Sequence, residues 1–532
     1  MTIAEKLTLV ETVETIDLSK EALERRDQDN STFLPTPPST VERYEYKNPS
    51  TWWAYWGVLA FLCVLYSSFW FLNETHFWGY LIYIFLTTAW TLPHFLFVIV
   101  GKKFDFVDHI EVIQKHFRDI QNPDADQRID RPSVDVFIPT CGENLQIIEN
   151  TFAYASQLTY RPLNIYALDD GGNPMVEHLA AKYGLTYLCR PNRGEMKKAG
   201  NLLYAYHRSE GDFILVLDAD FAVSACALEH LVPWMTIDPT IAIVQTPQYF
   251  ETDPALSWSS RGAAYCQEVF YRVIQPARDS LGRSAICVGT NALYRRKALA
   301  EIGGFYQAEA SEDVHNGVAL IDKGWSVKYV PVLIARGLCP DTLQALFRQH
   351  YRWCSGSLRL ITSALFWQNK MPWWKKLIYF CGACYYPAAA LALPVSLIQL
   401  SIMVFYFHHD VRWYVAFLFL PKILLIYLIM PFWNKANWGL HSIKSALTFS
   451  WAYLIAIWDF ITQGTEGWIA TGAKQKSARY QVFRRLLMAY CCIHALLLIP
   501  VMQYDIHHFI PLLAIHGFSI YLNLDLLIKG SD

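Results

Sequence analysis

The chain has 532 residues, of which 53% are hydrophobic and 15% aromatic, while Asp, Glu, Lys and Arg together make up 17%, against roughly 25% in an average soluble domain. That balance excludes a purely soluble protein and points to several membrane spans. A formal net charge of −2 leaves no electrostatic footprint for a nucleic-acid partner.

In chain order, residues 1–50 are polar and acidic, lack the apolar core of a secretory signal and include STFLPTPPST, so they read as a disordered cytoplasmic tail. Residues 51–100 hold two spans, 52–72 and 77–100, joined by NETH. Lys102 and Lys103 follow the second span and NETH has no Lys or Arg, which places residue 101 onward in the cytoplasm. Residues 101–370 have the pattern of a soluble α/β domain. Beyond them, in 371–532, lie apolar segments near 382–407, 413–432, 443–461, 486–503 and 508–528. The stretch 464–485 carries Lys474, Lys476, Arg479, Arg484 and Arg485 and should face the cytoplasm. Segment 443–461 is therefore expected to lie along the interface or be buried. The expected total is six spans, two before the domain and four after. Cys381 and Cys384, the one close pair among twelve cysteines, sit in an apolar stretch without the second pair a zinc site needs, and read as packing residues.

Inside 101–370, short apolar runs alternate with helix-like segments, which predicts a parallel sheet flanked by helices. Each run ends in a polar tip. VDVFIP leads to Thr140-Cys141-Gly142-Glu143, NIYAL to Asp169-Asp170-Gly171-Gly172, FILVL to Asp218-Ala219-Asp220, and IAIV to Gln245-Thr246-Pro247. Ligands of open α/β sheets bind outside the carboxyl ends of the strands, so four such tips predict one site. Asp218 and Asp220 offer the hard oxygen ligands that suit Mg²⁺ or Mn²⁺, a cation whose shell is commonly completed by water and substrate phosphates. A diphosphate is thus the expected ligand, with Arg193, Lys197 and Lys198 ahead of a helix N-terminus on the same anion. No G-x-G-x-x-G or G-x-x-x-x-G-K-[ST] occurs at a strand–helix turn, which removes the main support for dinucleotide and P-loop readings. Each tip alone is also ordinary turn chemistry. Glu312 and Asp313 open a helical run, where they serve either as first-turn charges or as a base that takes a proton from a sugar hydroxyl. Gln349, Arg352 and Trp353, at i, i+3 and i+4, share one helix face. Taken alone they read as an interfacial Trp with a snorkelling Arg.

The ordered set Asp169-Asp170-Gly171, Lys198-Ala199-Gly200-Asn201, Asp218-Ala219-Asp220, Gln245-Thr246-Pro247, Glu312-Asp313 and Gln349-x-x-Arg352-Trp353 resembles the processive family 2 glycosyltransferases, of which cellulose synthase is the best-known member. The resemblance implies an α/β GT-A (Rossmann-like) cytoplasmic domain inserted in a multi-span α-helical domain of the plasma or inner membrane. It also implies a UDP-sugar donor, with Val244-Gln245-Thr246-Pro247 and Lys198-Ala199-Gly200-Asn201 favouring UDP-glucose, Mg²⁺ or Mn²⁺, and an inverting displacement that extends a polysaccharide and feeds it into a channel of the same chain. By the same resemblance Asp169 and Asp170 contact the nucleotide, with Thr140 and Glu143 near the uracil. Lys198 meets the diphosphate, Asp218 and Asp220 the metal and donor, and Asp313, beside Glu312, is the base. Arg352 suits the leaving diphosphate, Trp353 the acceptor sugar, and Gln349 a hydroxyl or backbone group. GWIATGAKQKS, within about 464–480, is similar to the family's gating loop Phe-x-Val-Thr-x-Lys, with Trp468 and Thr471 in register and Lys474 one place late.

The sequence departs from the cellulose enzymes at Cys141-Gly142, where Tyr-Asn is usual, and at Ser311, where Thr is usual. The chain stops after its last span, leaving no room for a cyclic-di-GMP-binding domain, and the N-terminal zinc-binding domain of the plant enzymes is missing too, so regulation by those routes is not expected. Linkage stays open between β-1,4, β-1,3 and mixed, as do a homo-oligomer and an accessory export subunit. The alternatives are transfer of one sugar to a membrane lipid, as in ceramide glucosyltransferases, a hyaluronan- or chitin-type synthase, and a transport or scaffold protein with an inactive domain.

Overall fold

The computed structural model describes residues 33–46, 51–121, 131–410, 417–429, 439–464, 477–504 and 506–529. They form two units, the first within 1–48, 103–251 and 282–338, the second within 49–102, 252–281 and 339–532.

The first unit is built on a seven-stranded sheet. Its strands are β1 (Val134–Thr140), β2 (Leu163–Asp169), β3 (Thr186–Leu188), β4 (Phe213–Val216), β6 (Ile241–Gln245), β8 (Ala292–Arg295) and β9 (Ser326–Tyr329), in the order β3-β2-β1-β4-β8-β6-β9. A second, three-stranded sheet joins β5 (Phe221–Val223), β10 (Ala335–Gly337) and β7 (Tyr249–Phe250). Strands β4 and β6 are buried throughout and β1 at all but one position, as a sheet covered on both faces requires. Helices Leu145–Ala155 and Pro174–Lys182 start where the Asn144 and Asn173 side chains accept backbone N–H bonds from Gln146 and Met175.

The expected parallel arrangement holds for β3-β2-β1-β4 and for β6 with β9, but β8 runs antiparallel to both of its neighbours. The reason is its approach. The chain reaches β8 through residues 288–291, which are bonded to the carboxyl ends of β4 and β6, and with no crossover helix to carry it back it can only run the opposite way.

The expectation of a disordered tail through residue 50 also needs correction, because residues 33–46 pack on the first unit. Ser39 and Glu42 form a capping box at the helix Thr40–Arg43. Arg336 binds Glu42 and Glu251, the Leu333 N–H donates to the Arg43 carbonyl at 3.0 Å, and Asn150 Nδ2 donates to the Pro35 carbonyl at 2.9 Å. Pro35, Pro38, Arg43 and Tyr46 are buried, and the prolines lower the entropy lost when such a strap is ordered.

Among the described residues of the second unit six helices are long and apolar enough to cross a membrane: Trp52–Thr75, Tyr80–Val100, Trp373–Phe405, Leu440–Thr462, Ala478–Gln503 and Ile506–Lys529. The set differs from the expected spans in one segment. Of segment 413–432 only 417–429 lies among the described residues, as a short helix Leu420–Leu424 running into a π-turn Leu425–Ile429, and 440–462 takes its place by length and composition.

Contacts within the unit show how that helix lies. Segments 385–405 and 478–503 run parallel, through Ser396–Tyr490 at 2.8 Å and Val404 beside Val501. Helix 506–529 returns antiparallel, through His494–His516 and Arg484–Leu527. The starts of the first two therefore stand level with the end of the third. Helix 440–462 meets all three at that level. Lys444 reaches Asp525 at 2.8 Å, Trp451 reaches Asn523 at 3.1 Å, Tyr453 packs on Tyr385 and Tyr386, and Asp459 holds Arg479 at 2.8 Å. Lys444 and Asp459 are about 22 Å apart along a helix axis, so the helix lies across the ends of these spans rather than between them.

Candidate active site

Residues Thr140 and Asp169 end β1 and β2 side by side in register. Asp169 is buried and its oxygens are fully used: Oδ1 accepts from the Gly171 N–H at 2.8 Å, Oδ2 from the Asn173 N–H at 2.7 Å and the Tyr187 hydroxyl at 2.9 Å. Asp170 takes the fork of Arg190 at 2.6 and 2.8 Å and the Gly194 N–H at 3.1 Å. Both carboxylates thus shape the turn after β2 and tie it to residues 190–194. Tyr187 and Arg190 were not legible as partners, although Arg190 opens the basic run RPNR. Arg190 and Asp170 are 1% and 5% exposed at their side chains, so Arg190→Ala strands a buried carboxylate. We expect it to lower unfolding stability by about 3 kcal/mol, measurable as a thermal shift in nanodiscs, while Arg190→Lys loses less.

The acidic tip after β4 meets an ammonium. Lys198, in the first turn of helix Lys197–Tyr206, binds Asp218 Oδ1 and donates to the Gly289 carbonyl at 2.8 Å. The Asp218 N–H donates to Thr290 Oγ1 at 2.8 Å. Gln245 and Thr246 clamp this same loop: Gln245 Nε2 donates to the Thr290 carbonyl at 2.8 Å, Gln245 Oε1 accepts from the Val288 N–H at 2.9 Å, and Thr246 Oγ1 donates to the Asn291 carbonyl at 2.9 Å. Gly289 has φ +78°, and a Cβ there would lie 2.9 Å from Asp313 Oδ2, so only glycine lets the loop approach Asp313 this closely. Residues 288–291 act through backbone groups, a small hydroxyl and a missing side chain, which is why sequence reasoning passed over them.

Glu312 and Asp313 open helix Glu312–Asp322 after Ser311, which is left-handed at φ 54°. Burial pushes the Asp313 carboxyl up to about 7, with Glu312 adding to the rise and Lys198 opposing it. Burial likewise pushes Asp220 up to about 8, reinforced by Asp218 and Glu143, and raises Glu143, whose Oε2 accepts from the Cys141 N–H at 2.6 Å. For Lys198, burial works against the charged form but is outweighed by Asp218, Glu312 and Asp313, and its pKa is raised. Asp218, Glu312 and Asp313 act on one ammonium, and Asp220 and Glu143 add negative charge beside Asp218, an excess that suits a divalent cation. Among the described residues no three His, Cys, Asp or Glu are arranged to hold a metal by themselves.

In the second unit, Gln349, Arg352 and Trp353 lie together on helix Leu343–Ile361, half-buried between the buried positions Leu346, Phe347, His350, Tyr351 and Cys354. Thr342 caps its start. Trp468, Thr471 and Lys474 lie outside the described residues. Cys381 and Cys384 are buried, as packing residues should be.

Comparison with known proteins bears on these groups. Residues 213–502 match the family described as glycosyl transferase family group 2, more than half of the chain. The cellulose synthase 1 catalytic subunit (UDP-forming) of Komagataeibacter xylinus is 37% identical over 234 residues, 43% of this chain and 31% of that protein. A cellulose synthase 1 of the same organism is 35% identical over 255 residues, 47% of this chain and 16% of the relative. The mannosyltransferase PcManGT from Pyrobaculum calidifontis, solved in complex with GDP-Man and Mn²⁺, superposes with a TM-score of 0.49 at 20% identity, covering 71% of this chain and 98% of that one. The chain matches 16% and 31% of the lengths of these two cellulose synthases. The family match takes in β4, the Asp218 and Asp220 tip, Glu312-Asp313 and the helix of Gln349, Arg352 and Trp353, and on that match the chain belongs to glycosyl transferase family group 2.

Proposed function

We propose that the protein is a processive, inverting glycosyltransferase that polymerises glucose from UDP-glucose into a β-glucan, of β-1,4, β-1,3 or mixed linkage, and passes it through a channel formed by its own spans. The catalytic domain faces the cytoplasm, where Lys102, Lys103 and the basic stretch 474–485 put it. The observation that carries this reading is the grouping of Asp218, Asp220 and Asp313 with Lys198 in a chain that over 234 residues is 37% identical to a UDP-forming cellulose synthase catalytic subunit.

Asp313 accepts the proton of an acceptor hydroxyl as that oxygen attacks the anomeric carbon. One C–O bond forms with inversion while the bond from that carbon to the β-phosphate oxygen breaks, and UDP leaves with the electron pair. Lys198 stabilises the charge growing on the diphosphate. Asp218 and Asp220 would hold Mg²⁺ or Mn²⁺, which supplies neutralising charge to the same diphosphate. Thr140 and Glu143 stand near the uracil, and the turn shaped by Asp169 and Asp170 receives the nucleotide. Arg352 at the diphosphate, Trp353 under the acceptor sugar, Gln349 beside it, and Trp468, Thr471 and Lys474 in a gating loop rest on the family resemblance.

The test is to supply labelled UDP-glucose to purified protein in nanodiscs. We expect label in a glucanase-sensitive polymer. Label extracted into organic solvent would replace polymerisation with transfer to a lipid, and incorporation from UDP-N-acetylglucosamine instead would point to a hyaluronan- or chitin-type synthase.

A further inference from the structure

Asp459 stands in the last turn of helix 440–462 and is almost fully buried, at 2% exposure. Its Oδ2 accepts from the Tyr351 hydroxyl at 2.6 Å and from Arg479 Nε at 2.8 Å. A Cβ on Gly464 would lie 3.1 Å from Asp459 Oδ1 and 3.0 Å from Arg479 Nη2, so the backbone after the helix is drawn close to the ion pair. Tyr351 adjoins Arg352 in sequence, and Arg479 is the second residue of helix Ala478–Leu498. One carboxylate therefore joins three elements, including the helix that presents Gln349, Arg352 and Trp353.

A second anchor lies next to the first. His350 stacks on Phe449 with ring centroids 3.4 Å apart, and its Nδ1 is 2.8 Å from the Tyr453 hydroxyl. Tyr453 and Asp459 are about 9 Å apart along their helix, so consecutive residues 350 and 351 are held at two separated points. One hinge point would let helix 343–361 rotate. Two remove both rotation about its axis and sliding along it.

We propose that Asp459 is a positioning residue, which through Tyr351 and Arg479 sets the orientation in which Arg352 meets a diphosphate. The inference rests on the role given to Arg352 above. A buried carboxylate is costly unless paired, and here the pairing is directed at the residue adjoining Arg352. Misplacing a substrate-contacting group by about 1 Å is enough to cost up to 100-fold in rate.

The test measures UDP affinity by calorimetry in nanodiscs, which needs no turnover. Asp459→Asn should weaken UDP binding about tenfold in the wild-type background but less than about twofold in an Arg352→Ala background, as coupled neighbours do. Tyr351→Phe, which removes one hydroxyl, should show the same dependence on Arg352 and keeps the test decisive where Asp459→Asn folds poorly. Equal losses in both backgrounds, or unchanged affinity in the single variants, would overturn the proposal. Wild-type protein that binds no UDP would instead remove the functional reading on which it stands.

Discussion

Asp313→Asn is expected to lower kcat by about a thousandfold, within the span that general-base catalysis commonly contributes, while UDP affinity stays within about twofold of wild type. The amide keeps the shape of the side chain and the acceptor oxygen that receives the Val314 N–H at 2.8 Å, so the loop packed against it at Gly289 need not move. What it loses is the ability to take a proton. Because burial and Glu312 hold the Asp313 carboxyl near 7 instead of in the ordinary carboxylate range, the base is half protonated near neutrality, and kcat/KM of the wild type should rise as pH increases through about 7. Turnover close to wild type would remove Asp313 as the base, and a selective loss of UDP affinity would move it to the donor site.

The acidic tips could be read from the sequence because each follows a short apolar run, and the carboxyl ends of neighbouring strands necessarily lie close together. Asp218 stands at such an end and is bonded by Lys198, with Asp220 beside it in the turn, whereas Asp313 opens a helix and carries no such signal. Asp169 and Asp170 show its limit, since the same residue types can spend every oxygen on Gly171, Asn173, Tyr187 and Arg190. Apolar pattern carries no strand direction, so the reversed β8 was not visible. Nor does it distinguish a helix between spans from one laid across their ends, for which the basic stretch 464–485 and the partners of Lys444 and Asp459 are needed. The strap at 33–46 was misread for a different reason. Proline-rich composition signals disorder when nothing covers it, but here Pro35 and Pro38 are buried.

Asp220→Asn is expected to separate stability from activity. The folded protein holds the Asp220 carboxyl up to about 8, through burial and the charges of Asp218 and Glu143, whereas an unfolded Asp releases its proton near 3.9. Between those values the folded state binds more protons than the unfolded chain, so this group's contribution is complete below about pH 4 and is lost as pH rises through about 8. An amide imitates the protonated form at every pH. In chelator, the variant should therefore match wild type near pH 4 and melt at a higher temperature at pH 8.5. Added Mn²⁺ should raise the melting temperature of wild type by mass action and leave the variant nearly unmoved. Activity should fall about 100- to 1,000-fold, the scale of losing one preorganised electrostatic contact. A variant that melts below wild type throughout, or that keeps both its response to Mn²⁺ and its turnover, would show that the charge on Asp220 is balanced within the protein and has no part in holding a cation against the diphosphate.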